Sequence, residues 1–290
     1  MPSFRPRNVL AAIGLVALGG LLVAGCGSSD KSSPTALNLS ISEQGKAASF
    51  TAPASAKNGL VDVKLTNNGK APHGVQFIQY ADGHTMDDVL KQLGSNSNAI
   101  PDWITLPGGI GSVDPGQTGS ATVNLPEGNY VLVDAAALGG PSSGPPATAG
   151  IKLSGGSDGD LPSTDADVTA ATNGTDQYKW DISGLKAGEN QFTFKSEGDD
   201  AVHLIIAAPI KGTPPSLDQI KKDLDSNGPP PSYIDLQGSQ SSALLDGGDS
   251  QTANLNLKAG QYVFFCPLTD RDGKGKSHDQ EGLLSIQTVK

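Results

Sequence analysis

Two chemistry-bearing residues stand close together near the C-terminal end of this chain. Cys266 ends an alternating apolar segment, GQYVFFC, and His278 follows after eleven residues of polar, Gly- and Lys-rich loop. A second apolar stretch, 283–289, comes next. A soft thiolate and an imidazole on one loop between two strands supply half of a copper site. The other half must come from the few remaining candidates, since the chain has four histidines (His73, His84, His203 and His278) and two cysteines.

The elements that would position them emerge from an internal repeat. Residues 60–78, LVDVKLTNNGKAPHGVQFI, correspond to 190–208, NQFTFKSEGDDAVHLIIAA, and the match sets His73 against His203. Each segment reads as an alternating strand, a polar turn and a histidine entering an apolar strand. Short helices follow in both copies. Thr85 and Ser216 are expected N-caps, with Asp88 and Gln219 three residues on, and Met86/Val89/Leu93 parallel Leu217/Ile220/Leu224 on one face. Residues 121–140 then match 253–272 at an offset of 132, which sets Tyr130 on Tyr262 and Asp134 on Cys266.

The copies span 36–153 and 165–290, and 154–164 (SGGSDGDLPST) has a linker's composition. Period-two strands separated by Gly, Pro and Asn turns, with one short helix per copy, predict an all-β chain of two Greek-key β-sandwiches. Strand parity puts Tyr262, Phe264 and Cys266 on one face and His203 with Ile205 and Ala207, so the candidate ligands can point inward together.

On these residues each copy resembles a cupredoxin, the small sandwich of blue copper proteins. The specific part is in the second copy: a histidine after the polar turn, then Gly-x-Tyr-x-Phe-x-Cys, then His, then Gly-x-x-x-Ile. The resemblance implies one type 1-like copper, with His203, Cys266 and His278 as ligands. Such a donor set suits copper because the thiolate stabilises the reduced ion and imidazoles serve both oxidation states. The family's usual axial methionine falls on Leu283, after Gly282, which leaves a three-coordinate ion of raised potential, or Gln280 or a backbone carbonyl filling in. The ligand loop is longer than in the small blue copper proteins, and Lys274, Gly275 and Lys276 are expected to make it mobile.

The first copy is an internal control. Asp134 stands at the cysteine position and Pro146 at the second-histidine position, so only His73 remains, and the first copy is expected to be metal-free. His73 reads as structural, and His84, in a loop before the helix, as solvent-exposed.

At the other end, Arg5 and Arg7 precede an apolar run that closes Val23-Ala24-Gly25-Cys26. This resembles the lipobox of bacterial lipoproteins: 1–25 a signal peptide, Cys26 lipidated, and residues to 35 a tether. The resemblance implies an extracytoplasmic protein anchored to the cell membrane, with a redox or copper-exchanging protein as partner. A net charge of −10 and a pI near 4.7 exclude nucleic acid as a charge-driven partner.

Two-domain cupredoxin assemblies can be oxidases or nitrite reductases, but these need a second copper centre built from further histidines. With four histidines, no His-x-His and no His-Glu-x-x-His, the expectation is that the chain is no enzyme. Two functions remain: a copper protein for electron transfer or copper handling, or a tandem cupredoxin-like interaction or ligand-binding module whose copper site is vestigial.

Overall fold

A computed structural model describes residues 33–45, 47–95, 97–137, 146–174, 177–225 and 231–290. The expected signal peptide and Cys26 lie outside the described residues. Among the described residues no helix is long and apolar enough to cross a membrane.

In the N-terminal half the strands are β1 (Thr35–Gln44), β2 (Ala47–Thr51), β3 (Ser55–Ala56), β4 (Gly59–Asn67), β5 (His73–Tyr80), β6 (Ile104–Val113), β7 (Thr118–Leu125), β8 (Gly128–Val133) and β9 (Thr148–Leu153), with helix α1 (Met86–Leu93) after β5. The C-terminal half has β10 (Ala166–Thr172), β11 (Tyr178–Ser183), β12 (Gly188–Ser196), β13 (Val202–His203), β14 (Ile206–Pro209), α2 (Leu217–Leu224), β15 (Gln240–Ser241), β16 (Leu245–Asp246), β17 (Ser250–Leu257), β18 (Gly260–Phe265), α3 (His278–Glu281) and β19 (Leu284–Val289).

The fold is all-β and cupredoxin-like, sheet packed on sheet, as the alternation predicts. Val61, Val63 and Leu65 of β4 turn into a core shared with Phe77, Tyr130 and Leu132 of the facing sheet. In the second half Phe192 and Phe194 of β12 meet Ala207, Tyr262 and Phe264. Burial of such alternate side chains contributes about 1.5–3 kcal/mol each, and this is what commits the strands to their faces.

Both helices start where expected. The Thr85 hydroxyl accepts from the Asp88 N–H while the Asp88 carboxylate accepts from the Thr85 N–H, a complete capping box. Ser216 accepts from the Gln219 N–H at 3.2 Å. Their apolar stripes are narrower than the sequence suggests: Val89 and Ile220 are buried, whereas Leu93 and Leu217 remain exposed. A further helix, α3, begins at His278, where the sequence reading has only loop. Its one advance sign is Ser277 followed three residues on by Gln280, an N-terminal signature shortened to a single turn.

Joining the halves is an eight-stranded sheet in the order β11-β10-β12-β17-β7-β4-β1-β2. Polar contacts also cross between the halves, at the join of β7 with β17 and beside it. The Thr122 N–H donates to Thr252 Oγ1 at 2.7 Å, the Gly109 N–H to Gln251 Oε1 at 2.8 Å, and the Leu244 N–H to Gln76 Oε1 at 2.7 Å. One apolar cluster also draws on both halves, setting Val89, Ile104 and Val131 beside Val202, Leu244 and Leu268. The linker-like stretch is bound along the first half, through Leu60 N–H to Ser157 O (2.9 Å) and Asn124 Nδ2 to Gly159 O (2.9 Å).

Candidate metal centre

The centre forms where three strand ends of the second half meet. The apolar strand that the sequence places after His203 is broken in two. Its first part, β13, pairs with β16, whereas β14 pairs with β18 and β15, so the chain changes partners between His203 and Ile206. At that step the Leu204 N–H bonds to the Cys266 sulfur, and so does the Leu268 N–H. Cys266 follows the last residue of β18, on the same inward face as Tyr262 and Phe264. Its own N–H donates to Leu283 O at 3.1 Å.

His278 returns to the site through three backbone bonds: His278 N–H to Leu268 O (2.7 Å), Asp279 N–H to Cys266 O (2.8 Å) and Leu283 N–H to His278 O (2.7 Å). His203, Cys266 and His278 are all fully buried, and one donor atom from each lies within 4.8 Å of the others. The two Nδ1 atoms are 3.0 Å apart, and Cys266 Sγ is 3.6 Å from His278 Nδ1.

The opposite ring nitrogens fix the tautomers. His203 Nε2 donates to Glu197 O at 3.1 Å, and His278 Nε2 donates to Asp270 Oδ1 at 3.1 Å. Burial, with the second imidazole nearby, pushes His203 down to about 3, and burial also lowers His278. Both rings are thus neutral near pH 7, with their one proton on Nε2. Their Nδ1 lone pairs face each other across 3.0 Å of dry interior, and such an arrangement is relieved by a cation placed among them. Two imidazole nitrogens and one sulfur match the His₂Cys donor set that copper electron-transfer centres use, and Glu197 and Asp270 offer the kind of acceptor that ligand histidines carry. The residues fit copper. When bound, the ion would supply a one-electron redox couple.

Tyr178 covers the histidines. Its ring meets His203 edge-on with centroids 4.8 Å apart, lies tilted 5.0 Å from His278, and its hydroxyl donates to Asp270 Oδ1 at 3.2 Å. Behind it, Gly282 takes φ 125°, and a Cβ there would sit 2.0 Å from Tyr178 O. Gly282→Ala is therefore expected to destabilise the protein by about 1–3 kcal/mol through overpacking on rigid backbone and a disfavoured φ. A chemical denaturation curve reads this directly, and an unchanged midpoint would show that the close approach is not enforced.

Leu283, which the resemblance sets at the family's axial position, is a buried apolar side chain. Gln280 does not fill in for it. Its amide donates outward to Lys221 O at 3.0 Å, while Lys221 Nζ donates to Gln280 O. The residues expected to loosen the ligand loop, Lys274, Gly275 and Lys276, are exposed, and the loop is held ahead of them. It is pinned at Leu268, Asp270, Arg271 and Gly273 by contacts that reach both halves.

In the first half, His73 lies between two carboxylates, with Nδ1 2.6 Å from Asp134 Oδ2 and Nε2 3.0 Å from Glu43 Oε1. Both ring nitrogens are thereby committed. Pro146 is half-buried nearby in sequence to Ala147, whose carbonyl accepts from the Asp134 N–H at 3.0 Å. His84 is not a free loop residue, for it stacks on Trp103 with ring centroids 4.1 Å apart. Sequence reasoning missed Glu43, Tyr178, Asp270 and Arg271, whose types and spacing carry no signal of their own.

No protein-family model matches the chain, and no curated protein matches it. Solved structures do. An auracyanin from the photosynthetic bacterium Roseiflexus castenholzii aligns at 16% identity over 42% of this chain and 98% of its own, with a TM-score of 0.28. The blue copper oxidase of Nitrosomonas europaea aligns at 13% identity over 88% of this chain and 85% of its own, with a TM-score of 0.24. The copper nitrite reductase of the same organism aligns at 13% over 89% and 94%, with a TM-score of 0.26. Since enzymes stand among these structures, the expectation that the chain is no enzyme is corrected: the comparison gives no ground for that exclusion. At these identities and scores no activity is carried over, and the likeness is one of fold.

Proposed function

We propose that the protein binds one copper ion between His203 Nδ1, His278 Nδ1 and Cys266 Sγ, and that it carries electrons through it at the outer face of the cell membrane, held there by lipidated Cys26. The observation that carries this reading is the pair of Nδ1 atoms 3.0 Å apart, each on a ring whose other nitrogen is already bonded. Electron transfer is favoured over copper delivery because no ligand is exposed. Handing a metal to another protein proceeds by ligand exchange and needs an accessible donor, whereas an electron can cross a packed side chain. Tyr178 offers such a crossing: it touches both imidazoles and lines an open recess of about 570 Å³ with Lys221, Lys276 and Gln280. The partner would be a redox protein of the same compartment.

The test is a visible-range titration of the purified protein with Cu(II), beside Cys266→Ala. One equivalent is expected to raise an intense thiolate-to-copper charge-transfer band that is abolished in the variant. Absence of both band and stoichiometric binding would overturn the reading and leave an interaction module with a vestigial site.

A further inference from the structure

The ligand loop does not belong to the second half alone. Successive residues of it face opposite ways. Asp270 turns inward, where Oδ1 accepts from His278 Nε2 and from the Tyr178 hydroxyl. Arg271 turns toward the first half. Its Nη1 pairs with Asp246 Oδ1, and its Nη2 donates to Ile104 O and, at 3.3 Å, to Pro101 O.

Asp246 is itself tied to the first half, since its Oδ2 accepts from the Leu106 N–H at 2.7 Å. The backbone completes the clamp: Ile100 N–H donates to Arg271 O at 2.7 Å, and Arg271 N–H to Asp200 O at 3.1 Å. Gly273, at φ 71°, presses so closely on the first half that a Cβ would lie 2.6 Å from Ala99 N. Arg271 and Asp246 side chains are 16% and 14% exposed, so the pair is largely removed from solvent screening. A planar guanidinium with several donors can satisfy a carboxylate and two carbonyls together, which an ammonium cannot.

We infer that Arg271 is a positioning residue for the metal centre: by clamping the loop to strand β6 and the segment before it, it holds Asp270 against His278 and makes the first half part of the second half's site. The inference rests on the proposed role of His203, Cys266 and His278. It assigns the first half a task, which is to set the orientation of a ligand it never touches.

The experiment compares wild type, Arg271→Met, Arg271→Lys and Asp246→Asn. In the copper-loaded proteins the readouts are affinity by chelator competition, the charge-transfer spectrum and the electron paramagnetic hyperfine splitting. Arg271→Met is expected to weaken copper binding about 10-fold or more, the effect of losing an outer-shell partner, and to shift the spectrum, with Arg271→Lys recovering part of both. Asp246→Asn keeps the shape of the pair and is expected to shift the spectrum in the same direction by less, which covers failure of Arg271→Met to fold. Variants that lose stability yet keep the wild-type spectrum and affinity would overturn the inference. A second arm needs no copper: ¹⁵N spectra of the metal-free histidine rings are expected to show His278 losing its fixed Nε2–H form in Arg271→Met. An unchanged ring pattern overturns the coupling, whereas absence of copper binding by the wild type overturns only the reading of the site.

Discussion

Copper uptake is expected to release one proton per ion from about pH 6.5 to 9, so that apparent affinity rises about tenfold for each pH unit in that window. The proton is that of Cys266. Burial pushes this thiol up to about 12, against the opposing pull of the Leu204 and Leu268 N–H groups, so the metal-free protein carries it as S–H throughout the window. A metal ligand must be the thiolate, so binding expels that proton and becomes easier as pH rises. The histidines release none. His203 is held near 3, and His278 lies below its ordinary 6.5, so both are already neutral with Nδ1 bare. Calorimetric titration in two buffers of different ionisation enthalpy counts the protons. An affinity independent of pH would mean that the site already holds a thiolate before the metal arrives. A slope of two would mean that one imidazole is charged, and that the Nε2 bonds to Glu197 and Asp270 do not fix the tautomers.

The same arithmetic explains why the donor set was legible in the sequence and its support was not. Cys266, His203 and His278 stand out because thiol and imidazole are rare in this chain, and because strand alternation fixes the face on which Cys266 and His203 lie. Nothing comparable marks Asp270 among the many Asp residues of the turns, or Tyr178, which reaches His278 from exactly one hundred residues away in sequence. Their roles come from tertiary approach, and period-two patterning reports only the side of a strand. The join between the halves was hidden for a related reason. Gln76 and Gln251 read as ordinary polar positions, yet both are fully buried, on β5 and β17, each accepting through its amide oxygen from a backbone N–H of the other half. Composition marks Lys274, Gly275 and Lys276 as free, and gives no sign that Arg271 and Gly273, just before them, are held by what they touch.

Replacing Asp134 is expected to cost more stability than any polar substitution near the metal centre: Asp134→Ala should lower the unfolding free energy by about 3–5 kcal/mol. Asp134 stands in the first half where Cys266 stands in the second, and it too is buried. Its Oδ2 is 2.6 Å from His73 Nδ1, while Oδ1 accepts from the Gly74 N–H at 3.0 Å and the Ala136 N–H at 3.2 Å. Truncation leaves His73 with Glu43 alone and strips two largely buried backbone donors of their acceptor. Asp134→Asn should cost less, because an amide oxygen still serves Gly74, though the charge opposite His73 is gone. Neither change should alter the copper stoichiometry, since the first half offers no thiolate and its histidine has both nitrogens engaged. Urea denaturation of the two variants, followed by copper titration, tests the whole argument. A loss below 1 kcal/mol for Asp134→Ala would show that His73 finds another partner. A change in copper stoichiometry would show that this pole, where a histidine sits between two carboxylates while the other half gathers ligands, is itself part of the metal chemistry.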